Sequence, residues 1–462
     1  MLRLYDTRTR QVEPIVPAGA GALRVYACGP TVYRFAHVGN LRSYLLPDLM
    51  RRVLERHRIR TVVCQNITDV GHLVDDDQID PAGEDKVLQQ ARREGRSAMD
   101  IARFYEDAFR RDTAALNMRP PEYTPRASES IDLMIDLIAK LIDLGHAYQV
   151  DDGSVFFAAE SFPSYGEISG NRLDALRPGH RVAGVDPRKR FHADWALWKG
   201  SDRELTWDAP WGRGFPGWHT ECSAMSLRFL GERIDVHTGG KDLRFPHHED
   251  ERAQSDAAAG HEVVRHWVHG EHLLFDGRKM AKSTGNVVLL PDVAEAGLDP
   301  LAVRLALLEH RYRQQMNLTW DTLRAADRTL RRWRRRVAEW AESPSRPMSA
   351  PHAERAMAAF DDDLDTPAAL RVLRELERDE QVAPGSRFET FLHLDQVLGL
   401  DLAAEVGRAP AAVPLPAGAA ELLEARAKAR EARDWPAADR LRDELAALGV
   451  AVADTPQGQT WS

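Results

Sequence analysis

Two ammonium groups close together on a glycine-bearing loop suit one kind of chemistry. They can neutralise a polyphosphate whose negative charge grows as a bond to phosphorus breaks. The segment Lys279-Met280-Ala281-Lys282-Ser283-Thr284-Gly285-Asn286 has that composition. It holds two of only eight lysines in a chain with 62 basic residues, so a compact ammonium stands where arginine is otherwise the default cation. Without a ligand it is a solvated surface loop. A second string, His37-Val38-Gly39-Asn40, stands at the start of a helical pattern. A helix N-terminus offers unpaired N–H groups and a positive dipole end to a phosphate. Gly39 lets a nucleotide approach the backbone, and His37 and Asn40 can donate in the same direction. Taken alone, the string reads equally well as a capped helix with a surface histidine.

A third set is dispersed: Cys28, Cys222 and the run Pro246-His247-His248-Glu249-Asp250-Glu251. His247 and Glu251 are four apart and project from one helix face. Thiolate, imidazole and carboxylate together favour Zn²⁺ over Mg²⁺ or Ca²⁺, which prefer oxygen shells. Spacing alone does not bring Cys28 to Cys222, and a lone cysteine at a strand end is ordinarily a buried small hydrophobe. Cys64, inside an apolar strand, belongs to that ordinary class. Gly239-Gly240-Lys241-Asp242 could hold an adenosine by close backbone approach and a carboxylate on ribose hydroxyls, or be a tight turn with no ligand. Trp195, Trp198, Trp207, Trp211 and Trp218 crowd into a short stretch that reads as core, with Trp218 a candidate pocket wall.

The frame that must position these residues has 462 residues, 43% hydrophobic and 29% charged, which excludes wholesale disorder and suggests several domains. No apolar run approaches the roughly 20 residues of a membrane span, and the first residues lack the apolar core of a secretory signal. Three cysteines cannot form a disulfide framework, so a reducing, cytoplasmic setting is expected. The net charge of −9 excludes an overall polycation but leaves room for a local basic patch against nucleic acid.

Leu23 to Cys28 reads as a strand, followed by the loop Gly29-Pro30-Thr31-Val32-Tyr33. From Leu41 apolar residues recur at helical spacing, with Pro47 expected to kink the helix. Thr61 to Cys64 is the next strand, ending at Asn66-Ile67-Thr68-Asp69. Strand, loop, helix, strand opens a parallel nucleotide-binding sheet, whose ligands sit at the carboxyl ends of the strands. After Pro120-Pro121 an amphipathic helix (Ile131 to Ile142) and a hairpin over Tyr148 to Phe157 read as an insertion, and the sheet resumes near Ile234 to His237. From 316 onward the pattern is helical, with Arg324, Arg328, Arg331, Arg332 and Arg335 on one face, a basic surface for RNA or a solvated face. Ala403 to Ala420 reads as a linker before two short helices and a final hairpin ending at Trp461.

In this order the motifs resemble the cysteinyl-tRNA synthetases of class I, over nearly the whole chain. The resemblance is carried by Tyr26 to Tyr33, Asn66 to Asp69, Gly217-Trp218-His219-Thr220-Glu221-Cys222-Ser223-Ala224-Met225, Phe245 to Glu251, Ala437 to Arg442 and Asp454 to Gly458. It implies an α/β fold: a Rossmann-like parallel-sheet catalytic domain (1–119 and 201–315) with an inserted α+β subdomain (120–200). A helical bundle (316–402), a linker (403–420) and a small C-terminal anticodon-binding domain (421–462) would follow.

The resemblance also implies one Zn²⁺ per chain on Cys28, Cys222, His247 and Glu251, binding the sulfur of the amino-acid substrate. Gly29, Thr31, Thr68 and Trp218 would line the amino-acid pocket. His37, Gly39, Asn40, Gly239, Asp242, Lys279, Lys282 and Ser283 would bind ATP with Mg²⁺, and His37, Asn40, Lys279 and Lys282 would act in catalysis. The implied partners are L-cysteine, ATP and tRNA(Cys), and the implied state is a monomer. Asn40 stands where the His-Ile-Gly-His signature has its second histidine, and Ala281 where Lys-Met-Ser-Lys-Ser has its first serine. Two alternatives share these motifs: a ligase that passes activated cysteine to an amino sugar, and a catalytically silent tRNA- or cysteine-binding paralogue.

Overall fold

The computed structural model describes all residues except 20, 72–84, 177–185, 203, 281–284, 409–415, 417, 456–457 and 462. Two compact units are distinguished, Met1–Ala404 and Glu405–Ser462.

In the larger unit a four-stranded parallel sheet runs in the order Val264–Gly270, Ile234–Gly240, Leu23–Ala27, Thr61–Gln65. Its strands are almost wholly buried, as both-face coverage by helices requires. Leu23–Ala27 pairs on one side with the strand next in this sheet and on the other with one more than 200 residues later. That reversal of strand order is where open α/β sheets bind ligands, just beyond the carboxyl ends. Ala27 lies opposite both Gln65 and Thr238, which brings Cys28, Asn66 and Gly239 to one edge.

The helix Val38–Arg56 follows the first strand and contains Pro47. One continuous helix spans the proline. Leu45, Leu46, Leu49 and Met50 around it are all buried, and that packing offsets the hydrogen bond the ring removes. The inserted region carries the helix Ile131–Asp143 and an antiparallel sheet, Ala147–Gln149, Val155–Phe157, Trp195–Gly200 and Gly214–Pro216. Its last strand lies past residue 200. Trp195, Trp198 and Trp211 are buried in its core, while Trp218 is half-buried.

Asp48, on the Val38–Arg56 helix, anchors the unit's helical part. Its Oδ2 accepts from Arg304 Nη2 at 2.7 Å and from Arg52 Nε at 2.9 Å. Arg304, fully buried, also donates to the carbonyls of Leu398 (2.5 Å) and Leu116 (2.9 Å), joining four segments through one guanidinium. The long helix Trp320–Ala341 carries the arginine face. Arg328 and Arg335 are exposed there, while Arg324, Arg331 and Arg332 pair with Asp321, Asp327 and Glu377.

The smaller unit holds the helices Ala419–Glu431 and Trp435–Ala447 and the hairpin Val452–Thr455 with Gly458–Trp461. Buried Arg426 binds Asp454 and Gln459 and ties the hairpin to the first helix.

Candidate active site and metal centre

Cys28 leaves the end of its strand, Cys222 lies in the helix Trp218–Leu230, and His247 and Glu251 share one face of the helix His247–Ala259. The sheet edge brings all four together, with their ligand atoms within 4.8 Å of one another and every residue buried. His247 Nε2 stands 2.9 Å from Glu251 Oε1, and the Cys28 thiol donates to the same oxygen at 3.6 Å. A second quartet, Cys28, His237, His248 and Glu251, meets the same distance limit.

The electrostatics show what this cluster lacks. Burial opposes any charge on Cys222, yet the Cys28 hydrogen bond and His247 bring its thiol down to about 6. Burial, then the Cys222 hydrogen bond, pushes the Cys28 thiol up. Burial opposes ionisation of Glu251 too, but His237 and His247 pull it to about 2. His247 is held up at about 10, because Glu251 and Cys222 outweigh its burial. Negative charge is thus concentrated in a dry pocket and balanced by a proton on a ring nitrogen. A dication answers that need more fully, because thiolate, imidazole and carboxylate all ligate in their deprotonated forms.

Among the described residues four more histidines surround the cluster, and of these the residue patterns marked only His248, as part of its run and without a role. His237 Nε2 lies 2.9 Å from Glu251 Oε2, the oxygen that His247 does not touch. His248 Nε2 lies 3.2 Å from Cys28 Sγ, and its Nδ1 lies 2.8 Å from His269 Nε2. His219 Nδ1 lies 2.8 Å from His247 Nδ1. Burial, then the neighbouring imidazoles, holds His248 well below the usual histidine range. The available signals are a polar His237 within the buried strand Ile234–Gly240 and the adjacency of His248 to His247. Neither spacing is that of a ligand pair.

Gly239 serves this outer layer directly. A Cβ there would sit 2.6 Å from His248 Cε1, and the ring, wedged against Trp267 and His237, cannot retreat. Gly239→Ala is therefore expected to displace His248 from Cys28 and to weaken metal retention by about 10- to 100-fold, the usual cost of losing a group that orients a ligand. Competition with a chromophoric chelator measures it, and unchanged affinity would remove His248 from that role.

The proposed amino-acid pocket adjoins the cluster. Gly29 N donates to Asn66 Oδ1 at 2.8 Å, and Asn66 Nδ2 donates to Thr68 Oγ1 at 3.0 Å. The Thr68 hydroxyl donates to Glu221 at 2.8 Å, and Thr31 bridges to Thr68. Burial keeps the Glu221 carboxyl well above the usual range. The Trp218 ring stacks on His247 with centroids 4.1 Å apart.

On the other flank His37 caps the helix Val38–Arg56. Its Nδ1 accepts from Asn40 N, and Asn40 Oδ1 accepts from His37 N, both at 3.2 Å. With its oxygen committed to that capping bond, Asn40 can donate to a phosphate only through Nδ2. Burial, then the nearby Arg34 charge, drives His37 down to about 4, so its ring is neutral at pH 7 and its Nε2–H is a donor.

The lysine segment arrives from 240 positions away. Val38 N donates to Val288 O at 3.0 Å, His37 bridges to Leu289, and the Met280 methyl fills the space over Gly39. Lys279 is exposed; Ala281, Lys282 and Ser283 lie outside the described residues. Asp242 sits in the short turn Lys241–Arg244 after the buried strand, with Lys241 bound to Glu271 at 2.7 Å.

Comparison with known proteins accords with this arrangement. A family model described as tRNA synthetases class I (C) catalytic domain matches residues 14–328, and one described as Cysteinyl-tRNA ligase anticodon binding domain matches residues 413–461. Proteins named cysteine–tRNA ligase are similar along their whole length. That of Thermus thermophilus is 41% identical over 100% of this chain and 99% of its own, and that of Salinibacter ruber 40% over 99% and 98%. Among solved structures, Mycobacterium tuberculosis methionyl-tRNA synthetase bound by methionyl-adenylate has a TM-score of 0.56 at 18% identity, covering 90% of this chain and 96% of that one. An Agrobacterium radiobacter leucyl-tRNA synthetase complex has a TM-score of 0.60 at 12% identity, covering 83% and 84%; both share the fold. Among the described residues, no helix is long and apolar enough to cross a membrane.

Proposed function

Because this chain belongs to the cysteinyl-tRNA ligase family of class I synthetases, we propose that it activates L-cysteine with ATP as cysteinyl-adenylate and selects the substrate by its sulfur. It is an enzyme that aminoacylates tRNA with cysteine. The observation that carries the finer reading is the convergence of Cys28, Cys222, His247 and Glu251 beside Thr68 and Trp218.

This quartet is the better zinc site of the two because it contains both thiols, the softest donors available. His237 and His248 then orient Glu251 and Cys28. When bound, the ion supplies a Lewis-acidic position that favours a thiolate far more than a serine hydroxyl, which gives discrimination without a separate editing site. Thr68, Gly29, Thr31 and Trp218 close around the amino acid.

Its carboxylate attacks the α-phosphate of ATP in line, forming the acyl–phosphate bond as the bond to pyrophosphate breaks. His37 Nε2–H, Asn40 Nδ2 and the helix N-terminus donate to the phosphates, while Lys279 and Lys282 offset the charge that develops, with Mg²⁺ accompanying ATP. Asp242 and the backbone at Gly239 hold the ribose and adenine. A ribose hydroxyl at the 3′ end of tRNA(Cys) then takes the cysteinyl group and releases AMP. The exposed Arg328 and Arg335, with Arg324, Arg331 and Arg332, supply a basic face for the RNA backbone.

Cysteine-dependent ATP–pyrophosphate exchange followed by charging of purified tRNA(Cys) is the test. Metal-replete protein without exchange would overturn the enzyme reading in favour of a silent paralogue. Exchange with transfer to an amino sugar but not to tRNA would overturn the acceptor. Lys279→Ala and Lys282→Ala are expected to lower the exchange kcat by about 10²–10³-fold while leaving the KM for cysteine nearly unchanged. A matching rise in KM would place these lysines in ground-state binding instead.

A further inference from the structure

The N-terminal hairpin, Arg3–Asp6 paired with Gln11–Pro14, lies along the outer edge of the parallel sheet, where Thr7 N donates to Trp267 O at 2.8 Å. Here Asp6, Glu13 and His266 converge, their ligand atoms within 4.8 Å of one another. We propose that these three residues form a second divalent-cation site, of the zinc or manganese class, which staples the hairpin to the edge strand Val264–Gly270.

His266 is 2% exposed, and neither ring nitrogen has a hydrogen-bond partner. Its Nδ1 lies 3.5 Å from Asp6 Oδ2 and 3.5 Å from Glu13 Oε2. Asp6, 1% exposed, likewise leaves Oδ2 without a hydrogen-bond partner. Each carboxylate is already aimed by the hairpin. Asp6 Oδ1 accepts from Arg8 N at 2.7 Å and Thr9 N at 3.3 Å, and Glu13 Oε1 accepts from the Thr9 hydroxyl at 2.5 Å. The second oxygen of each is thereby presented to one imidazole nitrogen.

The spacing distinguishes a metal from a proton. An imidazolium shared with a carboxylate closes to about 2.7–2.9 Å. Two ligand atoms on a tetrahedral dication at about 2.0–2.2 Å stand about 3.3–3.6 Å apart, which matches both separations here. Charge agrees: two carboxylates meet one imidazole, and Arg8, which also feels the Asp6 charge, is paired with Glu262 at 2.6 Å. A neutral His266 ligating through Nδ1 leaves only its Nε2–H buried without a partner. Three N/O donors, with solvent reaching the fourth position past the 30% exposed Glu13 side chain, suit a first-row dication better than Ca²⁺.

The site is separate from the thiol cluster. Side chains alternate along a strand, so His266 faces away from the side on which Trp267 stacks against His237 and His269 meets His248.

Titration of metal-stripped full-length protein with Co²⁺ under anaerobic conditions tests this. Wild type is expected to take up two equivalents. One shows the intense thiolate-to-cobalt band of the Cys28 and Cys222 site, and the other only the weak visible absorption of N/O coordination. Asp6→Asn and Glu13→Gln should each weaken the second equivalent at least about tenfold and leave the thiolate band unchanged. Glu13 is partly exposed, so its variant keeps the fold intact. Uptake of one equivalent only by wild type, or a bandless equivalent of unchanged affinity in both variants, would overturn the proposal.

Discussion

Exchanging Cys222 for serine is expected to strip the thiol-bound metal and cysteine activation together. Cys222 is 1% exposed, and the replacement conserves volume, so the helix that carries it keeps its packing. The chemistry does not survive. A serine hydroxyl ionises far less readily than a thiol, and Cys222 is one of the two groups that hold His247 up at about 10. Losing a group that only orients a ligand costs about 10- to 100-fold in metal affinity or activity, and losing the ligand itself should cost more. Metal analysis after dialysis should show the thiol-bound equivalent gone, and cysteine-dependent pyrophosphate exchange should fall by more than about 100-fold. A variant that retains both would contradict the assignment of Cys222.

The second large effect is on stability. Asp48→Asn leaves the Arg304 guanidinium fully buried without the carboxylate it binds, and Arg304→Met leaves the buried Asp48 carboxylate with Arg52 as its remaining partner. Removing one partner of a buried ion pair costs about 3–5 kcal/mol, and here the same guanidinium also holds the carbonyls of Leu116 and Leu398. Denaturant unfolding of either variant should show that loss.

The pH dependence has a definite sign. Burial opposes the Asp48 carboxylate, but Arg304 and Arg52 outweigh it and hold the group below the ordinary range. Its stabilisation is therefore complete above the unfolded value of about 3.9 and is lost as pH falls toward the folded value. The gap between wild type and Asp48→Asn should be constant above about pH 5 and shrink below about pH 4. A gap that widens in acid would contradict the pairing.

Much of the frame is legible in the chain because it follows from local pattern. Val25, Tyr26 and Val63 mark strands by their apolar β-forming side chains, and Leu45, Leu49 and Val53 mark the buried face of the first helix. The pairing of Cys28 with Cys222 is different. Spacing left it open, and only a crossover of the sheet places residues 194 apart at one edge. His237, His219 and His269 carry no spacing signal because their partners are distant in sequence, and His248, although in the marked run, does not show from spacing that it turns to Cys28 and His269. Nothing in the sequence marks Asp48 and Arg304 as a buried pair, since charge patterning carries no information about burial. Gly239 reads in sequence as a nucleotide approach or a tight turn, and its missing side chain also makes room for His248.

Zinc-edge X-ray absorption tests the central claim most directly. Protein loaded with one equivalent of zinc, which the thiols take first, should show two sulfur neighbours at about 2.3 Å. Saturating L-cysteine should raise that number to three, and L-serine should leave it at two. A sulfur count of two in the presence of saturating cysteine would contradict recognition of the substrate by its sulfur.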